Sequence, residues 1–247
     1  MFIIRKGEDI IHVNSILKHY YPFEDSLEDL INGKNLQVFS LPPGFTPIYN
    51  SGKVGKSIKT IKDESGFIGC YYSKELKYIF QDKESWSIAF WINRLGDGSE
   101  PDDGETILSL TAADHIEGRT GSLLRTFPSS QTIEMRRFNW GIKTDSISFY
   151  IPSLFSGWHF IVWTYSKYFN RLYIDNSYIG GLISNISLNQ EIIDEVQGSF
   201  FLGAEFYNTD APEAFGRFNG YIDQLRIYQG EITLSKINEL WNGGVGI

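Results

Sequence analysis

The chain has 247 residues, 42% of them hydrophobic and 21% charged, and a formal net charge of −8. That balance excludes a disordered chain, and the negative charge works against attraction to phosphate backbones, so nucleic acid is set aside in favour of a cation or a neutral glycan. The length suits one large β domain or two small ones, and the aromatic share of 15% suits strands and sugar-contacting surfaces.

The opening MFIIRKGEDIIHV lacks a basic stretch followed by an apolar one. No segment reaches the ~20 apolar residues of a membrane span, so neither an export signal nor membrane insertion is expected. Up to about residue 50 the pattern is uneven, and Pro42, Pro43 and Pro47 exclude a central strand or helix there. GKVGKS, residues 52–57, has the look of a phosphate loop but carries Asn50 where the first glycine belongs. It reads as a turn into a strand. Cys70 has no partner for a disulfide and, beside two tyrosines, reads as a buried small hydrophobe rather than a nucleophile.

From Ser85 the pattern becomes regular. SWSIAFWIN sets Trp86, Ile88, Phe90 and Ile92 on one face and Ser87, Ala89, Trp91 and Asn93 on the other, the alternation of a half-buried strand. The acidic loop with Asp97, Glu100, Asp102, Asp103 and Glu105 lacks the order of a calcium loop and reads as solvated. GWHFIVWTYS is apolar on both parities, so it is expected in the middle of a layer covered on two sides. RLYIDNSYIGGL predicts a hairpin turning at Asp175 and Asn176, residues that tolerate positive φ. Further short β runs follow, and TLSKINELW carries the one helical spacing expected after residue 50, capped by Thr233 and stopped by NGG. Many short strands with turn signals predict an all-β antiparallel sandwich or jelly roll with a short C-terminal helix.

Catalytic patterns are sparse. No E-x-D-x-x-E run sets paired carboxylates on one strand face, and EIIDE, residues 191–195, has the wrong spacing. His12, His19, His115 and His159 show no ligand spacing, and His159 reads as a packed or hydrogen-bonded group. No G-x-S-x-G elbow surrounds a serine. Asp223 differs. It shares parity with Leu225 and Ile227, so its carboxylate is expected on the packed side, where an ionised group needs a cation or several donors. Glu24 and Asp25 are a candidate co-ligand pair if the chain ends meet. Structural calcium and a purely hydrogen-bonded carboxylate both remain open.

Taken together, YYPFEDSLEDL, GKVGKSIKTI, SWSIAFWI, GWHFIVWTYS, NRLYIDNSYIG, FFLGA and FNGYIDQLRIYQGEITLSKINELW resemble the laminin G-like or concanavalin A-like jelly-roll domains. The resemblance covers residues from about 20 to 242. It divides the chain into a lead or attachment segment, 1–19, and a jelly-roll domain, 20–247. It implies two antiparallel sheets face to face, N- and C-terminal strands side by side, and a structural calcium held by Glu24 or Asp25 with Asp223. Gln224 stands where relatives often carry a second acid.

The resulting expectation is a non-catalytic binding module acting at a surface, recognising a glycan or cell-surface polysaccharide. Arg136, Trp140, Tyr150 and Tyr207 are the candidate ligand contacts. For each, ordinary strand packing or loop cover is the competing reading. With no export signal in view, a virion or other extracellular assembly is the expected location, with neighbouring virion proteins as partners and a homo-oligomer left open. The alternatives are a purely structural assembly protein and, third, a glycoside hydrolase with an unrecognised carboxylate pair.

Overall fold

The computed structural model describes residues 15–41, 44–62, 68–73, 75–76, 85–96, 104–112, 120–139, 142–166, 169–186, 199–206 and 214–247. In chain order the strands are β1 (Ile16–Tyr21), β2 (Gln37–Leu41), β3 (Tyr49–Ser51), β4 (Lys56–Lys62), β5 (Ile68–Ser73), β6 (Trp86–Arg94), β7 (Glu105–Ala112), β8 (Thr120–Phe127) and β9 (Thr132–Asn139). They continue as β10 (Lys143–Tyr150), β11 (Trp158–Ser166), β12 (Phe169–Ile174), β13 (Ser177–Ile183), β14 (Ser199–Leu202), β15 (Glu205–Phe206), β16 (Ala214–Phe215) and β17 (Gly220–Gln229), followed by helix α1 (Leu234–Trp241).

Two antiparallel layers result. One runs β13–β12–β11–β6–β17, and the free edge of β17 is shared by β4 along its first half and β1 along its second. The other runs β10–β9–β8–β7–β14–β5, with β2 beside β5. β4 joins them, pairing Ile58 and Lys59 with β17 and Ile61 and Lys62 with β5. At the opposite side β10 meets β13, where a Cβ on Gly180 would lie 2.4 Å from the Phe149 ring. The first and last strands among the described residues therefore do lie side by side, as β1 on β17.

The main core fills the space between the layers. Trp86, Ile88, Phe90 and Ile92 of β6 face it, with Ile161, Trp163 and Tyr165 of β11 and Ile222, Leu225 and Ile227 of β17. Each buried aliphatic side chain contributes about 1.5–3 kcal/mol, so alternating apolar positions hold the register. The opposite face of β6 is also covered, which the alternation alone did not predict. Ala89 and Trp91 pack with Phe160, Val162, Tyr173, Tyr228, Ile237 and Leu240 in a second cluster beneath α1. β11 occupies the middle of this layer and is apolar on both faces for that reason.

Local chemistry sets the connections. Asp175 and Asn176 have φ of +48° and +65°, closing a two-residue hairpin between β12 and β13. Thr233 accepts the Lys236 amide at 3.2 Å to start α1, and Asn242 at φ +48° ends it. The 52–55 segment is a turn, closed by the Gly52 amide donating to Gly55 O at 2.9 Å.

One expectation is reversed. Between Asp223 and Arg226 the pairing of β17 with β6 slips by one residue, and Gln224 takes φ +53°. This β-bulge inserts an unpaired residue and shifts the strand's phase. Asp223 stands opposite Trp91 on the outer face, whereas Leu225 and Ile227 point into the inner core. Its carboxyl is fully buried, as expected, but on the other side of the sheet.

Candidate functional site

Asp223 is buried because the 52–55 turn folds over it. The Val54 amide donates to Oδ2 at 2.9 Å, and a Cβ on Gly52 would stand 2.6 Å from that oxygen. Oδ1 is buried and takes no hydrogen bond among the described residues. Burial pushes the carboxyl up to about 7, against the opposing pull of the Val54, Gln224 and Lys53 amides, and Glu24 adds like-charge repulsion.

Glu24 closes on the same turn. Its carboxylate accepts the Lys56 amide at 3.1 and 3.2 Å, and a Cβ on Gly55 would fall 1.9 Å from Oε1. The structure thus brings Glu24 and Asp223 to one turn, while Asp25 turns to the Lys56 ammonium. No three acidic, histidine or cysteine side chains converge on one point among the described residues. Two carboxylate groups, one with an orphaned buried oxygen, fit a hard cation that takes its remaining ligands from backbone carbonyls and water.

A separate cleft of about 420 Å³ opens at one end of the sandwich. It lies between the connection after β6, the β8–β9 turn and the segment joining β10 to β11, with Gly96, Pro128, Gln131, Pro152, Phe155 and Ser156 on its walls. Beneath it Arg94 donates from Nε and Nη2 to both oxygens of Glu105 at 2.9 and 3.1 Å, and from Nη1 to Gly96 O at 3.1 Å. The Arg94 guanidinium also sits 5.8 Å from the Phe155 ring. This buried bidentate pair holds Arg94 against Gly96 and Phe155 of the cleft wall and neutralises the Glu105 carboxylate.

Tyr150 stands at the rim. It is 70% exposed, at the end of β10, and its hydroxyl reaches Gln131 Oε1 at 3.3 Å. Arg136 lies on the outer face of β9, opposite Ser146 of β10, and donates to Glu134 Oε1 at 3.0 Å from Nη2. It is a half-buried ion-paired side chain rather than a free one. Trp140 and Tyr207 lie outside the described residues, as do Glu191–Glu195 and the acidic positions 97–103.

His159 links the cleft to the β12–β13 hairpin. Its ring nitrogens meet Asp175 Oδ2 at 2.6 Å and Ser156 O at 2.9 Å. Burial pulls its pKa down, but the Asp175 and Ser156 bonds outweigh it and hold the imidazole above its ordinary value. Cys70 is inaccessible, and burial pushes its thiol up to about 12, as expected of a packing residue.

Sequence reasoning missed the cleft because three separate connections build it. It also treated Trp158 as core, whereas the structure leaves that ring half-buried at the same end, beside Tyr221. The available signal was the position of both residues at strand starts.

Residues 75–238 match the family model described as the concanavalin A-like lectin/glucanases superfamily. Among solved structures, domain 4 of AbnA, a GH43 extracellular arabinanase from Geobacillus stearothermophilus in complex with arabinotriose, is 16% identical with a TM-score of 0.58. The match covers 94% of this chain and 99% of that one. The botulinum neurotoxin serotype C1 binding domain is 18% identical with a TM-score of 0.61, over 94% of this chain and 52% of that one. A structure described as showing that cell entry of botulinum neurotoxin type C depends on interaction with two ganglioside molecules is 18% identical with a TM-score of 0.62, over the same shares. The chain spans about half the length of these neurotoxin domains, and at such identities the likeness establishes the fold. No curated protein matches the chain in sequence.

Proposed function

The chain belongs to the concanavalin A-like lectin/glucanases superfamily, and on that footing we propose that it is a non-catalytic glycan-binding module. The observation that carries the proposal is the cleft of about 420 Å³ at one end of the sandwich, with the exposed Tyr150 ring and Gln131 at its rim. Saccharides are bound by stacking of ring C–H groups on aromatic faces beside a few placed hydrogen-bonding groups. The names of the solved structures agree with this, one being an arabinotriose complex and another naming gangliosides.

Among the described residues, the carboxylates beside the cleft favour binding over hydrolysis, Glu105 being paired with Arg94 and Glu134 with Arg136. A glycan array probed with the chain and with Tyr150→Ala tests the proposal. Reproducible saccharide binding that Tyr150→Ala weakens supports it. A uniformly blank array favours a purely structural role, and reducing-sugar release lost on mutating one acid would favour a hydrolase.

The proposal extends to a structural calcium held by Glu24 and Asp223 against the 52–55 turn. Its support is the buried, unbonded Oδ1 of Asp223, which a cation would satisfy. Bound there, the ion would rigidify the turn and the β1–β17 edge and take no part in recognition. The proposed setting is extracellular, a virion being one such assembly. Co-purification of the chain with particles rather than with cell-wall fractions tests that part.

A further inference from the structure

At the same end of the molecule, one row of side chains crosses the outer face of the β6 layer. Register places Trp158 of β11 opposite Asn93 of β6, Asn93 opposite Tyr221 of β17, and Tyr221 opposite Lys59 of β4. All four are half-buried. The next row, Phe160, Trp91 and Asp223, is fully covered by the 52–55 turn and the α1 cluster. The cover stops one row short of the strand ends and leaves a rim of two aromatic rings with an amide between them.

The rim is equipped for a polar ring-shaped ligand. The Trp158 and Tyr221 rings have centroids 6.5 Å apart and planes inclined by 39°. Asn50 Nδ2 donates to the Tyr221 hydroxyl at 3.1 Å and orients it. The Asn93 side-chain amide makes no hydrogen bond among the described residues.

Charge narrows the ligand. Lys34, Lys56, Lys143 and Lys236 are each paired with a carboxylate. Lys59 and Lys53 have none among the described residues, and the Lys53 ammonium rests 4.9 Å from the centroid of Trp91. Of the acids on this face, Asp175 is bonded to His159 and the Phe160 amide, and Asp223 is buried beneath the 52–55 turn with Oδ2 on the Val54 amide. Two ammonium groups without an ion-pair partner among the described residues therefore stand beside an aromatic rim on a chain whose net charge is −8.

We infer that the Trp158–Asn93–Tyr221–Lys59 row is a subsite for a carboxylate-bearing sugar. The ring stacks on the aromatic pair, its hydroxyls bond to Asn93 and Tyr221, and its carboxylate meets Lys59. This rests on the glycan-binding reading and gives it a substrate class. Calorimetry of the whole chain with oligogalacturonate and with its carboxyl-reduced counterpart tests it. The acidic form is expected to bind at least tenfold more tightly. Lys59→Gln should abolish that preference, and Asn93→Ala should weaken both ligands tenfold or more, each with an unchanged melting temperature. If neutral saccharides bind as well as acidic ones and neither substitution has an effect, the subsite falls while the glycan-binding reading stands. If no saccharide of any charge binds, both fall.

Discussion

Glu24 and Asp223, from opposite ends of the chain, grip one turn, Glu24 accepting the Lys56 amide and Asp223 the Val54 amide. The turn in turn lies over Trp91 and separates the buried part of the outer face from its exposed rim. A single local arrangement thus ties the strand edges together and delimits the candidate binding surface.

The first prediction concerns Asp223 and pH. Its folded pKa of about 7 exceeds the ordinary 3.8, so the folded state holds more protons than the unfolded one between those values. Without a cation, this carboxyl lowers stability progressively as pH rises from about 4 to 7, by up to ~4 kcal/mol. Asp223→Asn should remove that slope in urea melts run across the range. Calcium bound there would raise the melting temperature of the wild type at pH 8 and leave Asp223→Asn unmoved.

The glycines of the turn admit no side chain. A Cβ on Gly52 would meet Asp223 Oδ2 and the Lys56 carbonyl carbon at 2.6 Å each. Gly52→Ala is expected to cost roughly 2 kcal/mol or more in chemical denaturation, because backbone must shift as well as the carboxylate. Loss below half a kilocalorie would show the turn to be free to move.

A pH-sensitive element of the opposite sign begins in β1. His19 Nδ1 meets Asp29 Oδ2 at 2.7 Å, both fully enclosed, and Asp29 also accepts the Tyr20, Ile31, Asn32 and Lys34 amides. Burial lowers the His19 pKa despite Asp29. Burial pushes Asp29 up, but His19 and the amides outweigh it and hold it low. Both shifts mean fewer protons in the folded state, so stability falls on acidification, first below pH 6.5 and again below 3.8. His19→Gln should flatten the first step, and Asp29→Ala should cost about 3 kcal/mol by leaving several amides without their acceptor.

Deleting Gln224 tests the bulge. Removal of the extra residue makes Asp223 and Leu225 adjacent in plain alternation, on the opposite faces that they already occupy, and closes the register slip against β6. The deletion is therefore expected to fold and, like Gln224→Gly, which is compatible with φ +53°, to cost in chemical denaturation little beyond the bonds of Gln224 to Tyr20 and Arg226. A deletion variant that fails to fold would refute the phase shift.

The parts of the fold readable from sequence were those set by local period or local chemistry. β6 and β11 declared their faces through alternation, the hairpin through Asp175 and Asn176, and α1 through its spacing and its Thr233 cap. The bulge was hidden because one inserted residue leaves no mark on composition. It gave the right burial for Asp223 and the wrong face. The cleft and the Trp158–Tyr221 rim were hidden for another reason: which strand ends stay uncovered depends on where the turn and α1 stop. For Tyr150 the sequence left strand packing or loop cover as the competing reading and only the structure gives its exposure, as only the structure gives the ion pair that holds Arg136.

The central claim is that this sandwich binds saccharide through its exposed end. The most direct measurement is a glycan array read with the intact chain and with Tyr150→Ala, a residue 70% exposed whose loss should leave the melting temperature unchanged. The account predicts reproducible saccharide binding that drops at least tenfold in Tyr150→Ala. Saccharide binding equal in both proteins, or none in either, would contradict it.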